Sequence, residues 1–282
     1  MEGNLVPNET VSGPQGGTKA MSQHFDSPSV SWVLCTNTAS EQCRLAIKSC
    51  IEQTYNDFEL IIVVNGSNVP EVTKRIDAWY ASESRLKVFQ TEIRRLTFSL
   101  NLGIHHARGD LIARMDSDDI STSDRLEKQV AFMRMHRDVT VLGTAYDLIN
   151  NNGDPVKRIT NPLTNDAIRS ALYYRNPLCH PSVMMRRKPI SDSGGYLGAG
   201  YFAEDYDLWS RLAHDSSIQF ANLSDVCLGY RLAPNGEARR SRLSYASVAS
   251  SQFRSWIQGD GSRWLLGAAI SAGKGFFGSK RY

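Results

Sequence analysis

Short apolar runs alternate with helical stretches through the first half of the chain, and this alternation constrains the fold more than any other feature. The predicted strands are 30–35, 58–64, 86–90 and 111–115, and the predicted helices cover about 40–54, 70–82 and 98–107. Such alternation indicates βαβ units and a parallel sheet covered by helices. A chain of 282 residues with 41% hydrophobic residues is long enough to bury such a sheet.

Polar residues follow two of these strands at the edge where doubly wound sheets bind ligands. The second strand ends at "NGS" (65–67), and the fourth is followed by "DSDD" (116–119). Three carboxylates in four positions raise the cost of ionising one another. Their charge requires an offset from a divalent cation, a neighbouring Arg or Lys, or the N-terminal end of the next helix.

The pattern changes after a predicted helix over about 121–136. A longer strand at 139–150 enters the turn "NNNGD", which is typical of a hairpin. The segments "HPSVMMRR", "AEDYDLWSRLAHD" and "VCLGYRL" are then predicted as strand, helix and strand. Residues 1–28 are rich in Gly, Pro, Ser, Thr and Asn and are predicted to be disordered.

Composition excludes several classes of protein. The net charge of +3 is too small to indicate a nucleic-acid partner. Five cysteines without a CxxC pair indicate neither a disulfide framework nor a zinc cluster, so we expect a reducing cytosol. No apolar stretch reaches the ~20 residues of a spanning helix, and the N-terminus lacks the pattern of a secretory signal.

Five segments in order resemble the family 2 glycosyltransferases, above all bacterial members that build surface polysaccharides. The likeness covers roughly residues 30–232 and rests on "VSWVLCTNTAS…AIKSCIEQTYNDFELIIVVNGS", "LNLGIHHARGDLIARMDSDDISTSDRLEKQV", "NPLCHPSVMMRR", "GGY…AEDYDLWSRLA" and "YR". The resemblance implies the α/β GT-A (nucleotide-diphospho-sugar transferase) fold over 29–235, with a mixed, mostly parallel sheet flanked by helices. It also implies inverting transfer of a sugar from a nucleotide-sugar, with a UDP-sugar favoured.

The resemblance makes Asp116 and Asp118 a DxD pair. Asp118 would bind a Mn²⁺ or Mg²⁺ that bridges the donor's diphosphate, and Asp116 would face the ribose or the metal. A structural alternative is that Asp118, Asp119 and Ser121 cap the next helix. For Asp116 and Asp118, metal and nucleotide binding is the favoured interpretation.

The resemblance also assigns nucleotide contacts to Thr36, Asn37, Asn65, Asn101 and Arg114. Thr36 and Asn37 match the end of the first strand, where relatives meet the nucleobase, and Arg114 would pair with the acids or reach a phosphate. Relatives usually have two acids before "GS", where this chain has Val64 and Asn65. The amide of Asn65 can still bond a base edge.

By the same resemblance, Asp205 is the general base that takes the proton of the attacking acceptor hydroxyl. A structural alternative is that the helix dipole stabilises acids in the first turn of a helix, where Glu204, Asp205 and Asp207 lie. Asp207 lies four residues before Arg211, so an ion pair explains it. Glu204 is predicted to contact the acceptor or to stabilise local structure.

Two further residues are predicted at the acceptor site, each with a structural alternative. Trp209 lies one turn after Asp205 and either stacks on a sugar or belongs to the core. His180 in "CHPSV" either packs internally or contacts the acceptor. Many relatives have a His two residues after "YR" where this chain has Ala233, so a third metal ligand would come from elsewhere or be water.

Residues 236–282 form a basic, aromatic C-terminal segment. From Glu237 onwards there are eight Lys or Arg and two acids. The segment would either lie on an anionic lipid surface or form a helix packed on the catalytic domain with a solvated basic face. We expect a cytoplasmic enzyme, peripheral at the inner face of the cell membrane, with a polysaccharide or lipid-linked oligosaccharide as acceptor.

Three rival functions fit the sequence less well. A sugar nucleotidyltransferase would open with a basic, Gly-rich loop, which "CTNTASEQCR" is not. A phosphohydrolase would place its DxD after the first strand. A non-catalytic sugar-nucleotide or glycan-binding protein fits the departures at Val64, Asn65 and Ala233, but binding alone does not require Asp205.

Overall fold

A computed structural model describes residues 28–197, 203–232, 241–259 and 261–277. These residues form a nine-stranded mixed sheet flanked by helices. The predicted disorder of the N-terminal segment and the Ala233 position fall outside the described residues, apart from residue 28 at the segment's end.

The first half of the chain builds the parallel part of the sheet. Its elements are β1 (Val30–Thr36), α1 (Glu41–Ile51), β2 (Phe58–Asn65), α2 (Val69–Trp79), β3 (Leu86–Thr91), α3 (Leu96–His106) and β4 (Leu111–Asp116). The four strands lie in the order β3-β2-β1-β4, and each pairs parallel with its neighbour. β1 and β2 are buried along almost their whole length, because helices cover both of their faces. All four strand predictions are confirmed.

The second half extends this sheet with mixed pairing. Its elements are β5 (Ile120–Ser121), α4 (Arg125–Met135), β6 (Val139–Ile149), β7 (Pro155–Ile159), α5 (Asn165–Leu172), a 3-10 turn (His180–Ser182), β8 (Met184–Arg186), α6 (Arg187–Asp192), α7 (Glu204–Leu212) and β9 (Gln219–Arg231). The order continues β4-β8-β6-β9-β5, and β7 pairs antiparallel with β6 as the predicted hairpin. The predicted mixed α/β fold is confirmed.

The helix after the carboxylates begins later than the sequence predicts. α4 starts at Arg125 and has Asp124 in its N-cap position, because Ile120 and Ser121 first pair antiparallel with β9. The capping alternative for Asp118, Asp119 and Ser121 is therefore wrong. These carboxylates lie on a loop between two strands, outside the helix.

The sheet separates two hydrophobic cores, and alternate residues of β1 enter each. Trp32 and Leu34 pack in the core that α1, α2 and α4 cover. Val33 and Cys35 pack in the opposite core with residues of α3 and α7. All five cysteines are free and buried.

A buried carboxylate joins the parallel strands at the end opposite "DSDD". Glu59 accepts hydrogen bonds from Ser31 (2.7 Å) and Lys87 (2.8 Å), and from the main chain (2.8 Å) and guanidinium (3.0 Å) of Arg108. Burial alone would raise the pKa of Glu59, but these bonds outweigh it and lower the pKa to about 2. Glu59 thus ties β2 to β1, β3 and the turn before β4.

We expect Glu59→Gln to destabilise the fold by about 2 kcal/mol at neutral pH. Because the folded-state pKa lies below the ordinary 4.5, the contribution of ionised Glu59 is complete above pH 4.5 and is lost as the pH falls toward 2. Urea unfolding across this range should show the wild-type advantage shrinking. The exposed Glu92, changed to Gln, is the control, and an advantage independent of pH would contradict the assignment.

Two helices complete the described chain. α8 (Arg242–Ile257) and α9 (Ser262–Phe277) pack against each other, and α8 also packs against α7. Within the described residues, none of the helices combines the length and apolar character needed to cross a membrane.

Candidate active site

A polar cleft of about 380 Å³ opens at the carboxyl ends of β1 and β4. Its walls are the residues after β1, the carboxylate loop after β4, the turn of the β6–β7 hairpin and the end of β9. Its lining includes Asn37, Ser40, Asp116, Asp118, Asn151 and Arg231. The predicted site residues of two separate strands therefore meet at the predicted edge of the sheet.

The carboxylates of Asp116, Asp118 and Asp119 converge in this region. One ligand oxygen from each lies within 4.8 Å of the others. Asp116 pairs at 2.7 Å with Arg114, whose side chain is almost fully buried. Burial alone would lower the pKa of Arg114, but Asp116 outweighs it and raises that pKa. One predicted offset for the acidic charge is therefore an arginine from the same strand.

Arg231 holds the carboxylate loop through the main chain. Its Nε donates to the carbonyl of Asp118 (2.7 Å), and its Nη1 donates to the carbonyls of Asn150 (2.8 Å) and Asn151 (2.7 Å). Its backbone N–H donates to Oδ1 of Asp119 (2.8 Å). The "YR" segment thus fixes the loop against the hairpin turn.

The cluster has the donor chemistry of a divalent-cation site. Oδ2 of Asp119 is buried without a hydrogen-bond partner in the described part of the chain. Burial, with Asp116 and Asp118 nearby, raises the pKa of Asp119. Carboxylate oxygens are the ligands that Mg²⁺ and Mn²⁺ prefer. The residues therefore fit such an ion, which would be held by Asp116 and Asp118 with Asp119 beside them.

A second pair of acids lies in the first turn of α7. Oδ1 of Asp205 accepts from the main-chain N–H of Tyr206 (2.7 Å), and Oδ2 accepts from Nδ2 of Asn176 (2.6 Å). Burial, and then the charge of Asp205, raises the pKa of Glu204; Arg114 and Asp116 also act on it. The charges of Arg114 and Asp116 on β4 therefore reach the start of α7.

The interpretation of Asp207 as an ion-pair residue is confirmed. Its buried carboxylate pairs with Arg211 at 2.9 Å and with Arg254 of α8. It also accepts a hydrogen bond from Ser251 at 3.3 Å. Asp207 thus joins α7 to α8 and is not available to a substrate.

Trp209 and His180 lie behind the site. Trp209 is 0% exposed and packs in the core, so the core alternative is correct and its ring offers no face to a sugar in this structure. His180 is also buried, and its Nε2 lies 2.7 Å from the Tyr196 hydroxyl. Burial, and then Arg114, holds the pKa of His180 well below its usual range. A neutral His180 supports Tyr196 beside Arg114.

The residues predicted to bind the nucleotide differ in how accessible their side chains are from the cleft. Asn37 is exposed and lines the cleft. Thr36 is buried, and its hydroxyl bonds the main chain of Thr38 in the turn after β1. Nδ2 of Asn65 donates to Ser99 (2.8 Å). Thr36 therefore shapes the turn, and Asn37 has the most direct access.

Both amide atoms of Asn101 bond the main chain of Tyr196. Oδ1 accepts from the N–H (2.9 Å), and Nδ2 donates to the carbonyl (2.8 Å). A direct bond from Asn101 to a nucleotide would require this pair to break. A Cβ on Gly195, whose φ is +65°, would lie 2.5 Å from Oδ1 of Asn101, so this close approach requires glycine.

Sequence comparison decides the family. The family model for Glycosyl transferase family 2 matches residues 31–194, more than half of the chain. The chain is 35% identical over 230 residues to the O-antigen biosynthesis glycosyltransferase WbnJ of Escherichia coli, covering 81% of this chain and 89% of that protein.

The chain belongs to glycosyl transferase family 2.

Two further comparisons concern a relative and a solved structure. The UDP-Gal:alpha-D-GlcNAc-diphosphoundecaprenol beta-1,3-galactosyltransferase of Escherichia coli is 30% identical over 203 residues, covering 71% of this chain and 72% of that one. The mannosyltransferase PcManGT of Pyrobaculum calidifontis, solved with GDP-Man and Mn²⁺, has a TM-score of 0.64 at 14% identity and covers 87% and 69% of the two chains. This likeness confirms the GT-A fold of the glycosyltransferase.

Three residues of this family 2 glycosyltransferase were not found by sequence reasoning. Asn176 orients Asp205, and Arg231 holds the carboxylate loop. Arg94 lies against Gly66 beside Asn37, at the same edge as the cleft. The basic pair "RR" (94–95), separated from the end of β3 by two residues, was an available signal for Arg94. Asn176 and Arg231 lie in the segments "NPLCHPSVMMRR" and "YR", but their roles depend on contacts with residues 29 and 113 positions away, which the segments themselves do not indicate.

Proposed function

We propose that this chain is a metal-dependent, inverting glycosyltransferase that moves a sugar from a nucleotide-sugar, with a UDP-sugar favoured, to a glycan or lipid-linked oligosaccharide. One observation carries the proposal. The carboxylates of Asp116 and Asp118 converge at the end of β4, and the charge of Asp116 acts on Glu204, the neighbour of Asp205, which Asn176 holds. This arrangement supports a site for the diphosphate leaving group with a candidate base near it.

The donor would occupy the cleft between β1 and β4. Asn37, Asn65 and Arg94 would meet the base and ribose, and Arg114 would fix Asp116 by its ion pair. A Mn²⁺ or Mg²⁺ held by Asp116 and Asp118 would supply Lewis-acid stabilisation of the charge on the departing nucleoside diphosphate. UDP is favoured because the name of one relative specifies UDP-Gal, whereas PcManGT was solved with GDP-Man.

Asp205 would receive the acceptor's proton. In a single displacement the hydroxyl oxygen forms its bond to the anomeric carbon while the bond to the diphosphate oxygen breaks on the opposite face. Oδ1 of Asp205 accepts from the N–H of Tyr206 and Oδ2 accepts from Nδ2 of Asn176, and these two bonds would hold the carboxylate in place for the hydroxyl. Glu204, next to it, would contact the acceptor, and His180 would act through Tyr196.

The names of two relatives support the proposed acceptor. One is an O-antigen biosynthesis enzyme, and another acts on a diphosphoundecaprenol-linked sugar. With a lipid-linked or growing polysaccharide as acceptor, the enzyme would work at the cytoplasmic face of a bacterial membrane.

The test is transfer from a panel of UDP- and GDP-sugars to a diphosphoundecaprenol-linked N-acetylhexosamine, with the product anomer read by NMR. We expect Mn²⁺-dependent transfer from a UDP-sugar with inversion of the anomeric configuration. A retained configuration would contradict the inverting mechanism, and transfer from GDP-sugars alone would contradict the donor assignment.

A further inference from the structure

The C-terminal helical pair, α8 with α9, has an unusual distribution of polar residues. Surface helices normally bury their apolar face and expose their polar one. α8 buries Ser244, Ser251, Gln252 and Ser255. Its large apolar side chains are exposed instead, namely Leu243, Phe253, Trp256 and Ile257.

The buried polar face of α8 is bonded to the catalytic domain. Nε2 of Gln252 donates to the carbonyl of Tyr173 (2.9 Å), and Ser255 lies 3.2 Å from a ring nitrogen of His214. Arg254 pairs with Asp207 of α7. These hydrogen bonds and this ion pair determine which face of the helical pair points outward. The exposure of the apolar face is therefore set by specific contacts with the catalytic domain.

α9 extends the same apolar surface. Trp264 is buried against Tyr173, which anchors the helix. Leu265, Leu266, Ile270, Phe276 and Phe277 are exposed, the last two at 80% and 90%. A groove of about 690 Å³ between the helices is lined almost wholly by apolar side chains, among them Leu243, Phe253, Leu265 and Phe276. More than half of the large exposed hydrophobic residues in the described chain lie on this pair.

The charges on the pair all have one sign. Arg242, Arg254, Arg263 and Lys274 lie on α8 and α9, and neither helix contains an acidic residue. Adjoining sequence adds Arg239, Arg240, Lys280 and Arg281 against Glu237 and Asp260. Apolar and aromatic side chains with basic residues around them fit the headgroup region of an anionic bilayer.

We infer that the outer face of α8 and α9 is a docking surface for an anionic phospholipid bilayer. Phe276, Phe277 and Trp256 would enter the headgroup boundary, and Arg263 and Lys274 would pair with lipid phosphates. Charge complementarity favours this occupant over a second copy of the chain, because two such faces would bring only positive charges together. The Arg254–Asp207 pair would then set the orientation of α7, and hence of the active-site end, relative to the membrane.

Flotation with lipid vesicles tests this docking. Wild-type protein should bind vesicles of phosphatidylcholine with phosphatidylglycerol far more than phosphatidylcholine alone, and raising the salt concentration should weaken binding. Phe276→Ser with Phe277→Ser should weaken binding by roughly tenfold or more. Arg263→Gln with Lys274→Gln should remove most of the preference for the anionic vesicles.

A matched control exists on β7, where Val156 and Lys157 are both exposed. The double change Val156→Ser with Lys157→Gln should leave vesicle binding unaltered. As a depth probe, brominated lipid should quench tryptophan emission in the wild type, and this quenching should disappear in Trp256→Phe.

Three results would overturn the inference. The first is that the folded wild-type protein binds neither kind of vesicle, and the second is that both α8–α9 double variants bind vesicles as well as the wild type does. The third result is a dimer, seen by light scattering, that dissociates when Phe276 and Phe277 are changed to Ser. The experiment needs neither donor nor acceptor, so its failure would leave the proposed activity standing.

Discussion

Asp205→Asn should lower turnover by about 10²–10⁴-fold while leaving donor affinity unchanged. The amide cannot take the proton of the attacking hydroxyl, whereas the donor cleft between β1 and β4 is not altered. An amide has one acceptor oxygen, so either the Tyr206 N–H or Nδ2 of Asn176 loses its partner. Single-turnover transfer and donor titration, measured on the same preparation, separate the two effects.

Asp192→Asn is the matched control for Asp205→Asn. Asp192 is 60% exposed at the end of α6 and pairs with Lys188 at 2.8 Å. Its variant should turn over like the wild type. If Asp205→Asn kept turnover within about threefold of wild type, the base would have to be another group. If the wild-type protein bound the donor but neither it nor Asp192→Asn transferred the sugar, a non-catalytic binding protein would be favoured instead.

Arg125→Met should cost about 3 kcal/mol or more in the free energy of unfolding. Arg125 is 0% exposed, and its guanidinium donates to the carbonyls of Arg114 (2.8 Å), Pro181 (2.9 Å) and Val183 (3.3 Å). Its Nε donates to Gln129 at 3.0 Å. Burial lowers the pKa of Arg125 to about 10. Removing the guanidinium takes a donor from each of these buried groups, although the carbonyl of Val183 keeps another, the N–H of Arg114.

Urea unfolding of Arg125→Met, Arg125→Lys and an exposed control measures this cost. A lysine ammonium cannot spread over the same carbonyls, so Arg125→Lys should recover little. Arg158→Met on β7 is the control, because its pair with Asp147 is exposed and contributes at most about 1 kcal/mol. A stability of Arg125→Met within about 0.5 kcal/mol of wild type would refute the role given to Arg125.

The strands of the parallel half were predictable because each is an apolar run buried on both faces. The strands at 30–35 and 58–64 were predicted within a residue of β1 and β2. β5 left no such signal, since Ile120 and Ser121 form a strand only by pairing with β9, more than a hundred residues later. The start of α4 was therefore predicted too early, and the capping interpretation failed with it.

Side-chain roles were predictable only where they depend on neighbours in sequence. The Asp207–Arg211 pair follows from helix spacing and is present. Asn101 was assigned to the nucleotide, but both of its amide atoms hold Tyr196, 95 residues away. For the C-terminal segment, the packed-helix alternative correctly predicted contact with the catalytic domain. It predicted a basic outer face and not an apolar one, because the orientation of the helices depends on which of their residues bind α7 and Tyr173.

The most direct test of the central claim is calorimetric titration of the protein with UDP and GDP, each with and without Mn²⁺, repeated on Asp118→Asn. We expect UDP to bind only when Mn²⁺ is present, and we expect Asp118→Asn to abolish that binding in a folded protein. UDP binding that needs no metal, or that survives Asp118→Asn, would contradict the carboxylate cluster as the metal site. Failure of the folded wild type to bind either nucleotide would contradict a nucleotide-sugar enzyme.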